Sequence, residues 1–407
     1  MVRIQIPSSK SDGQRALLAA ALCEEKSLIY NLGNSDDERN MLEVIQQLGA
    51  IVTFKASSNC YEIMPSKSFP SKATLNVGES GLAFRLITSV CAAVGGEFLI
   101  EGKGTLNNRS MQFFQDYFNS ETLKVELSDG GKPPVRLFGK LSGEFEVDGS
   151  ESSQYISGML MAIPLLKKER VLIVNNLVSK PYVEMTISTL TSFGVAIDTI
   201  NKSYYFDKAL GYKATNYTVE GDWSSASYWL VASAIGAKVA VKGLSLISKQ
   251  ADRLILEAFK NANCYVNVDS DSIIIDGTNK TSFSFDANEC PDLFPALVVL
   301  AAFCDGISEI NGVLRLKNKE SNRGKVLQAE CAKIGVQIEI ENDIMRIHGG
   351  ENINGGVIHS NFDHRIAMAF GILQLFTLEK ISIEHPEVVS KSYPQFWEHL
   401  SLLKNNQ

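Results

Sequence analysis

The chain has 407 residues, of which 45% are hydrophobic and 21% are charged, and its formal net charge is −7. A chain of this length is longer than a typical domain with one hydrophobic core, so two domains are predicted. The net negative charge disfavours a nucleic-acid-binding protein. The seven cysteines have no paired spacing, which argues against a disulfide framework or a zinc site. The first residues lack the apolar segment of a signal peptide, and no stretch approaches a membrane span. We therefore expect a cytoplasmic protein with reduced cysteines.

A junction between polar and apolar residues recurs along the chain at intervals of about seventy residues. At each junction, Gly, Ser or Asp stands just ahead of an apolar segment. Such residues are preferred helix N-caps, so each junction predicts the start of a nearly all-apolar helix. The anchor residues of these junctions are Ser11, Gly81, Ser153, Ser225, Asp292 and His364.

A second helical pattern follows each junction by about thirty residues. The first example places Leu42, Ile45 and Leu48 on one face, and Gly49 marks its end before a predicted strand. The two interleaved series predict six copies of one β/α unit, with the apolar helices central and the amphipathic helices peripheral.

Six units in two domains give three units per domain. The repeat register predicts a first domain of residues 10–220 and a second domain of residues 1–9 plus 221–407. The chain would cross near residues 9–10 and 219–222, which suits a hinge. The first nine residues are expected to pair with the second domain.

Ten cations lie near these predicted helix starts, where the helix dipole favours anions. Because a structural role explains few cations at such positions, we expect a site for a phosphorylated or carboxylated small molecule. Arg85 and Lys180 are the exceptions, for which packing at a helix terminus is the preferred interpretation. The ten are Lys10, Arg15, Arg85, Arg109, Lys180, Arg253, Lys319, Arg323, Arg365 and Lys391.

Candidate acid–base groups lie among these cations, namely Asp292, Glu320 and His364. The other four histidines, at positions 348, 359, 385 and 399, have no local partners in the sequence and are interpreted as structural or surface residues. The sequence has no P-loop, no G-x-S-x-G elbow and no H-E-x-x-H motif. This inventory predicts transfer chemistry that depends on positioning and acid–base catalysis.

Nine segments, in this order and spacing, closely resemble the 5-enolpyruvylshikimate-3-phosphate synthases of the enolpyruvyl transferase family. They are PSSKSDGQRAL, SDDERNMLEVIQQLGA, DGSESSQY, VSKPY, GDWSSASYWL, PDLFPAL, NKESNR, FDHRIAMAF and SKSYPQFW. The resemblance covers nearly the whole chain. It implies an α/β fold of two similar domains, each of three βαβαββ repeats, known as the inverse α/β prism.

The resemblance also implies an activity. The enolpyruvyl group of phosphoenolpyruvate would be transferred to the 5-hydroxyl of shikimate 3-phosphate with release of phosphate, in the shikimate pathway to aromatic amino acids. No metal or organic cofactor would be needed, and the protein would be a monomer. Closure of the two domains would exclude water from the reaction.

Roles for individual residues follow from the same resemblance. Shikimate 3-phosphate would be bound by Lys10, Ser11, Arg15, Ser152, Ser153, Gln154, Ser179, Tyr182, Asp292 and Lys319. Phosphoenolpyruvate would be bound by Lys10, Gly81, Arg109, Gln154, Arg323, His364, Arg365 and Lys391. Asp292 would be the base for the 5-hydroxyl. Glu320 and Lys10 are alternatives for proton transfer at the methylene carbon.

Two features depart from the family pattern. Residues 78–82 read GESGL where many members have G-N-A-G-T, which places Glu79 beside an expected anion site and Leu82 in place of Thr. The contribution of this loop to phosphoenolpyruvate binding, and the response to the inhibitor glyphosate, are therefore open. Arg315 adds a cation where Asn is frequent.

Two alternative functions fit the sequence less well. A UDP-N-acetylglucosamine enolpyruvyl transferase usually carries a reactive Cys in the loop corresponding to residues 102–111, and this stretch has none. A non-catalytic anion-binding protein on the same scaffold would have lost the acid–base residues, yet Asp292, Glu320 and Lys10 are all present.

Overall fold

The structure is a computed structural model that describes residues 1–168, 170–207, 211–269, 271–350 and 353–405. The chain forms two compact units. The first unit is Ser8–Val219, and the second unit combines Met1–Pro7 with Glu220–Gln407. Across the described ranges, every helix is too short or too polar to cross a membrane.

Helices and strands alternate along both units, as the repeat pattern predicts. The α-helices are α1 (Lys10–Ala21), α2 (Asp36–Gln47), α3 (Gly81–Val94), α4 (Gln112–Phe118), α5 (Ser153–Ala162), α6 (Lys180–Ser192), α7 (Trp223–Ala234), α8 (Ile255–Asn261), α9 (Phe294–Ala302), α10 (Arg323–Ala332), α11 (His364–Leu373) and α12 (Phe396–Lys404).

The strands are β1 (Val2–Gln5), β2 (Ser27–Tyr30), β3 (Ile51–Lys55), β4 (Cys60–Met64), β5 (Lys72–Asn76), β6 (Gly96–Glu101), β7 (Leu123–Ser128), β8 (Lys132–Gly139), β9 (Phe145–Asp148), β10 (Arg170–Asn175), β11 (Ile197–Ile200), β12 (Ser203–Phe206), β13 (Asn216–Thr218), β14 (Val239–Lys242), β15 (Tyr265–Asp269), β16 (Ser272–Asp276), β17 (Ser284–Asp286), β18 (Gly306–Asn311), β19 (Ile338–Glu341), β20 (Ile344–Gly349), β21 (Gly356–His359) and β22 (Ile381–Glu384).

A βαβαββ repeat is clearest from β5 to β8. These strands form one sheet in the order β5-β6-β8-β7, in which the first pair is parallel and the others are antiparallel. The sheets β11-β12-β10-β9 and β17-β18-β20-β19 have the same plan. The mixed α/β fold of repeated βαβαββ units is therefore confirmed. The last repeat differs, since β21 and β22 form a two-stranded sheet.

Two strands lie far in sequence from the strands that they pair with. β1 pairs in parallel with β14, with Val2 opposite Val239, so the first residues complete a sheet of the second unit. β13 pairs in parallel with β2 and completes a sheet of the first unit. The chain therefore passes between the units twice, between residues 7 and 8 and between residues 219 and 220.

The apolar helices form the centre of each unit. In the first unit, α3 is buried from Gly81 to Ala93, whereas α2 buries only one face, which includes Met41, Val44 and Ile45. In the second unit, α7, α9 and α11 are almost wholly buried. The predicted arrangement of central apolar helices and peripheral amphipathic helices is confirmed.

Side chains cap most of these central helices at the predicted junctions. Ser9, Ser80 and Ser152 accept hydrogen bonds from backbone N–H groups in the first turns of α1, α3 and α5. Asp222 and Asp363 do the same for α7 and α11. The start of α9 differs, because the 3-10 turn Pro291–Leu293 precedes it and contains Asp292.

Candidate active site

Arg323 is the centre of a buried ionic cluster in the second unit. Arg323 is the first residue of α10, and its side chain is 0% exposed. Nε lies 2.9 Å from Asp363 Oδ2, Nη1 lies 2.9 Å from Asp292 Oδ1, and Nη2 lies 2.7 Å from Glu320 Oε2. One guanidinium therefore joins three carboxylates from three separate segments, in the fork geometry that arginine favours.

Asp292 is surrounded by three cations. Besides Arg323, Lys319 Nζ lies 3.1 Å from Oδ1 and Arg365 Nη2 lies 3.1 Å from Oδ2. Burial disfavours the ionised carboxyl, but the three cations, Arg365 foremost, outweigh burial and hold the pKa of Asp292 well below its usual range. Asp292 is therefore an ionised carboxylate in this arrangement.

The pKa values of two cations in this cluster are shifted too. Burial lowers the pKa of Lys319, although Asp292 opposes the shift. Burial also acts against the charge of Arg323, but its carboxylate partners, with Asp363 first, raise the Arg323 pKa above its ordinary value. The guanidinium therefore stays charged in a buried setting, where its interactions are strong.

Two further predicted residues, His364 and Lys391, lie in neighbouring segments of the second unit. His364 is 1% exposed and begins α11, directly after Asp363, which joins Arg323 and caps the helix. Lys391 is 7% exposed and ends the 3-10 turn Pro386–Lys391. Helix α11 and this turn pack against each other.

A different set of predicted residues converges on Arg15 in the first unit. Arg15 is 1% exposed and donates through Nε to Thr186 Oγ1 at 2.7 Å and through Nη2 to Ser157 Oγ at 3.3 Å. It also donates to the carbonyl oxygens of Ser11 and Tyr182, at 2.7 and 3.2 Å. Arg15 thus fixes the starts of α1 and α6 and the middle of α5 together, and burial lowers its pKa to about 10.

Lys10 forms an ion pair at the start of α1. Its Nζ lies 2.8 Å from Asp37 Oδ2, and the two side chains are 13% and 4% exposed. Sequence reasoning missed Asp37, although it lies in one of the nine segments that resemble the family. The pair holds the Lys10 ammonium group in one place at the first turn of the helix.

Three side chains, those of Arg85, Arg109 and Gln154, lie close together beside Gly81. A Cβ added to Gly81 would lie 2.7 Å from Arg109 Nη1 and 3.0 Å from Arg85 Nη1. Arg85 Nη1 also donates to the Gly81 carbonyl oxygen at 3.0 Å and to Gln154 Oε1 at 3.2 Å. Only glycine leaves room for two guanidinium groups beside the first turn of α3.

Ser152, Ser153 and Ser179 lie at the starts of two helices of the first unit. Ser152 caps α5, and Ser153 is its first residue and is 4% exposed. Ser179 precedes α6 in a left-handed conformation with φ of 51° and is 3% exposed. Non-glycine residues with positive φ are uncommon and cluster at functional sites.

The chain is similar to known proteins along almost its whole length. The model of the EPSP synthase (3-phosphoshikimate 1-carboxyvinyltransferase) family matches residues 2–400. A 3-phosphoshikimate 1-carboxyvinyltransferase of Clostridium kluyveri is 35% identical over 97% of this chain and 93% of that protein. One of Methanospirillum hungatei is 33% identical over 98% of this chain and 95% of that protein.

The chain belongs to the EPSP synthase family.

Solved structures support the same fold for this family member. An EPSP synthase of Acinetobacter baumannii matches with a TM-score of 0.80 and 23% identity, over 99% of this chain and 95% of that one. The enolpyruvyl transferase NikO of Streptomyces tendae matches with a TM-score of 0.73 and 14% identity, over 99% and 94%. The expected enolpyruvyl transferase fold is thereby confirmed.

Arg85 was assigned to helix packing, whereas the structure of this EPSP synthase family member places it among the predicted site residues. Arg85 is 5% exposed, bonds to Gln154, and lies with Cζ 4.6 Å from the centroid of the Tyr155 ring. A buried Arg one turn after Gly81 in an apolar helix was the available signal. Lys180 and Arg253, by contrast, are exposed.

Asp252 is a second residue that sequence reasoning missed. It is 2% exposed, in the 3-10 turn Ala251–Leu254, and contacts the Ser224 hydroxyl. Burial first, and then the charge of Asp292, raise the pKa of Asp252 to about 7. Asp252 and Asp292 are therefore two carboxyls of the second unit with opposite pKa shifts.

The four remaining histidines, interpreted as structural or surface residues, have partners that the sequence did not indicate. His348 Nε2 lies 3.1 Å from Glu339 Oε1, and His385 Nδ1 lies 3.3 Å from Glu387 Oε1. The backbone N–H of Asn361 donates to His359 Nδ1 at 2.8 Å, and the His399 ring meets Tyr393 Oη at 2.7 Å. These partners come from strand pairing and turns that the sequence pattern does not specify. Within the described residues, no group of three or more His, Cys, Asp or Glu side chains could hold a metal ion.

Proposed function

We propose that the chain is a 3-phosphoshikimate 1-carboxyvinyltransferase of the shikimate pathway. It transfers the enolpyruvyl group of phosphoenolpyruvate to the 5-hydroxyl of shikimate 3-phosphate and releases phosphate. The observation that carries this proposal is the Arg323 cluster, which joins a base candidate, Asp292, to an acid candidate, Glu320, among buried cations. The family match over residues 2–400 supports it.

The reaction needs one addition and one elimination. The 5-hydroxyl oxygen attacks C2 of phosphoenolpyruvate while a base removes its proton, and C3 gains a proton to become a methyl group. The bond from C2 to the phosphate oxygen then breaks, phosphate leaves, and the methyl group loses a proton to restore the double bond. The side chains must therefore bind two anions, accept one proton from oxygen, and exchange protons at carbon.

The binding roles are proposed on the basis of the family resemblance and of the placement of each side chain. For shikimate 3-phosphate they are Lys10, Ser11, Arg15, Ser152, Ser153, Gln154, Ser179, Tyr182, Asp292 and Lys319. For phosphoenolpyruvate they are Lys10, Gly81, Arg109, Gln154, Arg323, His364, Arg365 and Lys391. The pairing of Arg85 with Gln154 beside Gly81 adds Arg85 to the donor set.

Asp292 is assigned as the base for the 5-hydroxyl, although its cation partners make it a weak base without substrate. Arg323 and Arg365 both bond to Asp292, and both are assigned to the anionic donor. When their charges are shared with the donor, less positive charge acts on Asp292, and its affinity for a proton rises. Donor binding would thus prepare the base. Glu320 and Lys10 stay as alternatives for the proton at C3.

The two units are proposed to be the family's two domains, with the chain crossings near residues 9–10 and 219–222 as hinge segments that move when substrates bind. We propose a monomer in the cytoplasm. All seven cysteines are buried and free, which suits a reducing compartment.

Phosphate release by the purified protein tests the function. With shikimate 3-phosphate and phosphoenolpyruvate together, we expect release of phosphate and an enolpyruvyl ether detectable by NMR. Omission of either substrate, or replacement of shikimate 3-phosphate by UDP-N-acetylglucosamine, is expected to abolish release. The Asp292→Asn variant, which keeps the shape of the side chain, is expected to lose at least about 100-fold in kcat.

Release that needs only one substrate would contradict the transfer reaction. Release with UDP-N-acetylglucosamine would favour the related transferase instead. Full activity of Asp292→Asn would remove Asp292 from the role of base while leaving the overall reaction in place.

A further inference from the structure

Glu79, the acidic residue in the GESGL segment, lies against a neighbouring loop of the first unit. Val77 N donates to Glu101 O at 3.0 Å, and Lys103 N donates to Gly78 O at 2.7 Å, so the chain after β5 runs beside the chain after β6. The second of these loops continues through the 3-10 turn Gly104–Asn108 into Arg109. The two loops therefore bring Gly81 and Arg109 together.

The Glu79 carboxylate is directed at the start of that 3-10 turn. Thr105 Oγ1 donates to Glu79 Oε2 at 3.4 Å, and a Cβ added to Gly104 would overlap the carboxylate itself. Gly104 also has φ of 52°, so the carboxylate packs over a residue that only glycine suits. Lys103, which precedes the turn, supplies no side-chain cap. Glu79 therefore supplies an acceptor for the Thr105 hydroxyl at the start of the turn.

Side chains other than Glu79 also stabilise the turn that contains it. Gly78 N donates to Asn76 Oδ1 at 2.9 Å, and Ser80 Oγ donates to Gln14 Oε1 at 3.0 Å and caps α3 through Ala83 N. The Glu79 carboxylate, in contrast, contacts Thr105 on the opposite loop. That loop ends at Arg109, whose Nη1 lies 2.7 Å from the position of a Cβ on Gly81.

We infer that Glu79 is a positioning residue that fixes the 3-10 turn Gly104–Asn108 and, through it, the guanidinium of Arg109 beside Gly81. This inference rests on the proposed function, in which Arg109 and Gly81 contact phosphoenolpyruvate. A negative charge next to an anion site is tolerated because the carboxylate accepts from Thr105 and packs over Gly104.

Steady-state kinetics of Glu79→Ala and Glu79→Gln test the inference. Glu79→Ala is expected to raise KM for phosphoenolpyruvate by about tenfold, since a small displacement of a binding group is costly, while KM for shikimate 3-phosphate stays unchanged. Glu79→Gln keeps the shape and an acceptor oxygen, so it is expected to stay within about threefold of the wild type.

A double-mutant cycle with Gly104→Ala separates positioning from a general effect on folding. Gly104→Ala alone is expected to raise KM for phosphoenolpyruvate because the new methyl group displaces the carboxylate. In the Glu79→Ala background, the same change is expected to have a smaller effect. Gly130→Ala is the matched control, because Gly130 also has positive φ, 77°, but has no neighbour closer than 4.0 Å to an added Cβ.

Hydrogen exchange provides a readout that does not depend on turnover. Peptides that cover residues 103–111 are expected to exchange faster in Glu79→Ala than in the wild type. Unchanged exchange there would overturn the inference even if the proposed activity were absent. If the wild type is active, an unchanged KM for phosphoenolpyruvate in Glu79→Ala would also overturn the inference. A lower KM for phosphoenolpyruvate in both Glu79 variants would overturn it too, because it would mean that the Glu79 charge mainly repels this substrate.

Discussion

Removal of the Arg323 charge is expected to lower the stability of the second unit by an amount that follows from the burial of its ion pairs. The Arg323→Met variant keeps the aliphatic part of the side chain but removes the charge that joins Asp292, Glu320 and Asp363. The side chains of Arg323 and Asp363 are both 0% exposed, so the Asp363 carboxylate cannot be rehydrated without rearrangement. The variant therefore leaves buried negative charge without its main partner.

Loss of one partner from a buried ion pair typically costs about 3–5 kcal/mol. For a unit of this size, each kcal/mol lowers the melting temperature by about 2–4 °C. We therefore expect the unfolding transition of the second unit to shift down by about 6–20 °C, measured by calorimetry or circular dichroism. The deficit should shrink as the pH is lowered from 8 to 5, because protonation relieves the unpaired carboxylates.

Arg346→Met is the matched control. Arg346 also bonds to two carboxylates, Glu309 and Glu341, at 2.8 and 2.9 Å, but its side chain is 29% exposed. Solvated pairs contribute little, so this variant is expected to melt close to the wild type. Equal shifts in the two variants would refute the argument that burial sets the strength of the Arg323 cluster.

Three further predictions test other parts of the structure. The pKa of Asp252 is raised to about 7, so between pH ~4 and 7 the folded state holds a proton that the unfolded chain has released, and stability falls as pH rises. Asp252→Asn removes this pH dependence. In urea unfolding, the free energy of unfolding of the variant is therefore expected to rise relative to that of the wild type between pH 5 and 8. A difference in free energy that is the same at every pH contradicts this prediction. Gly81→Ala should raise KM for phosphoenolpyruvate, because its Cβ would displace the Arg109 guanidinium, whose Nη1 lies 2.7 Å away; an unchanged KM contradicts it. Gly158→Ala places a Cβ 2.5 Å from Ser89 Oγ and should lower stability by about 1–3 kcal/mol in thermal unfolding, whereas a neutral result would mean that α3 and α5 separate freely.

Much of the architecture could be predicted from the sequence because helix starts have a local chemical signature. Capping residues such as Ser9, Ser80 and Asp363 precede apolar segments, and each does cap a central helix. The start at Asp292 was predicted, but not its 3-10 geometry, which follows from the prolines at 291 and 295. Capping residues in the sequence thus predict where a helix begins. The backbone geometry of that first turn also depends on which residues lack a backbone N–H group, as proline does.

The arrangement of the charged residues could be predicted only in part. The cations were found because they lie where a helix dipole disfavours them. Their partners were missed, since the contacts of Lys10 with Asp37 and of Arg323 with Asp363 join residues far apart in sequence. Burial first, and then the charge of Asp292, raise the pKa of Asp252, whereas three cations outweigh burial and lower the pKa of Asp292. Both surroundings form only in the folded chain.

The most direct test of the account is turnover in D2O. With shikimate 3-phosphate and phosphoenolpyruvate, the proposed addition and elimination require C3 to gain a solvent deuteron and then lose one hydrogen of the resulting methyl group. NMR of the product is expected to show deuterium in the vinyl methylene, and no product with either substrate alone. A product that carries only protium at this carbon, or no product from both substrates, would contradict the account.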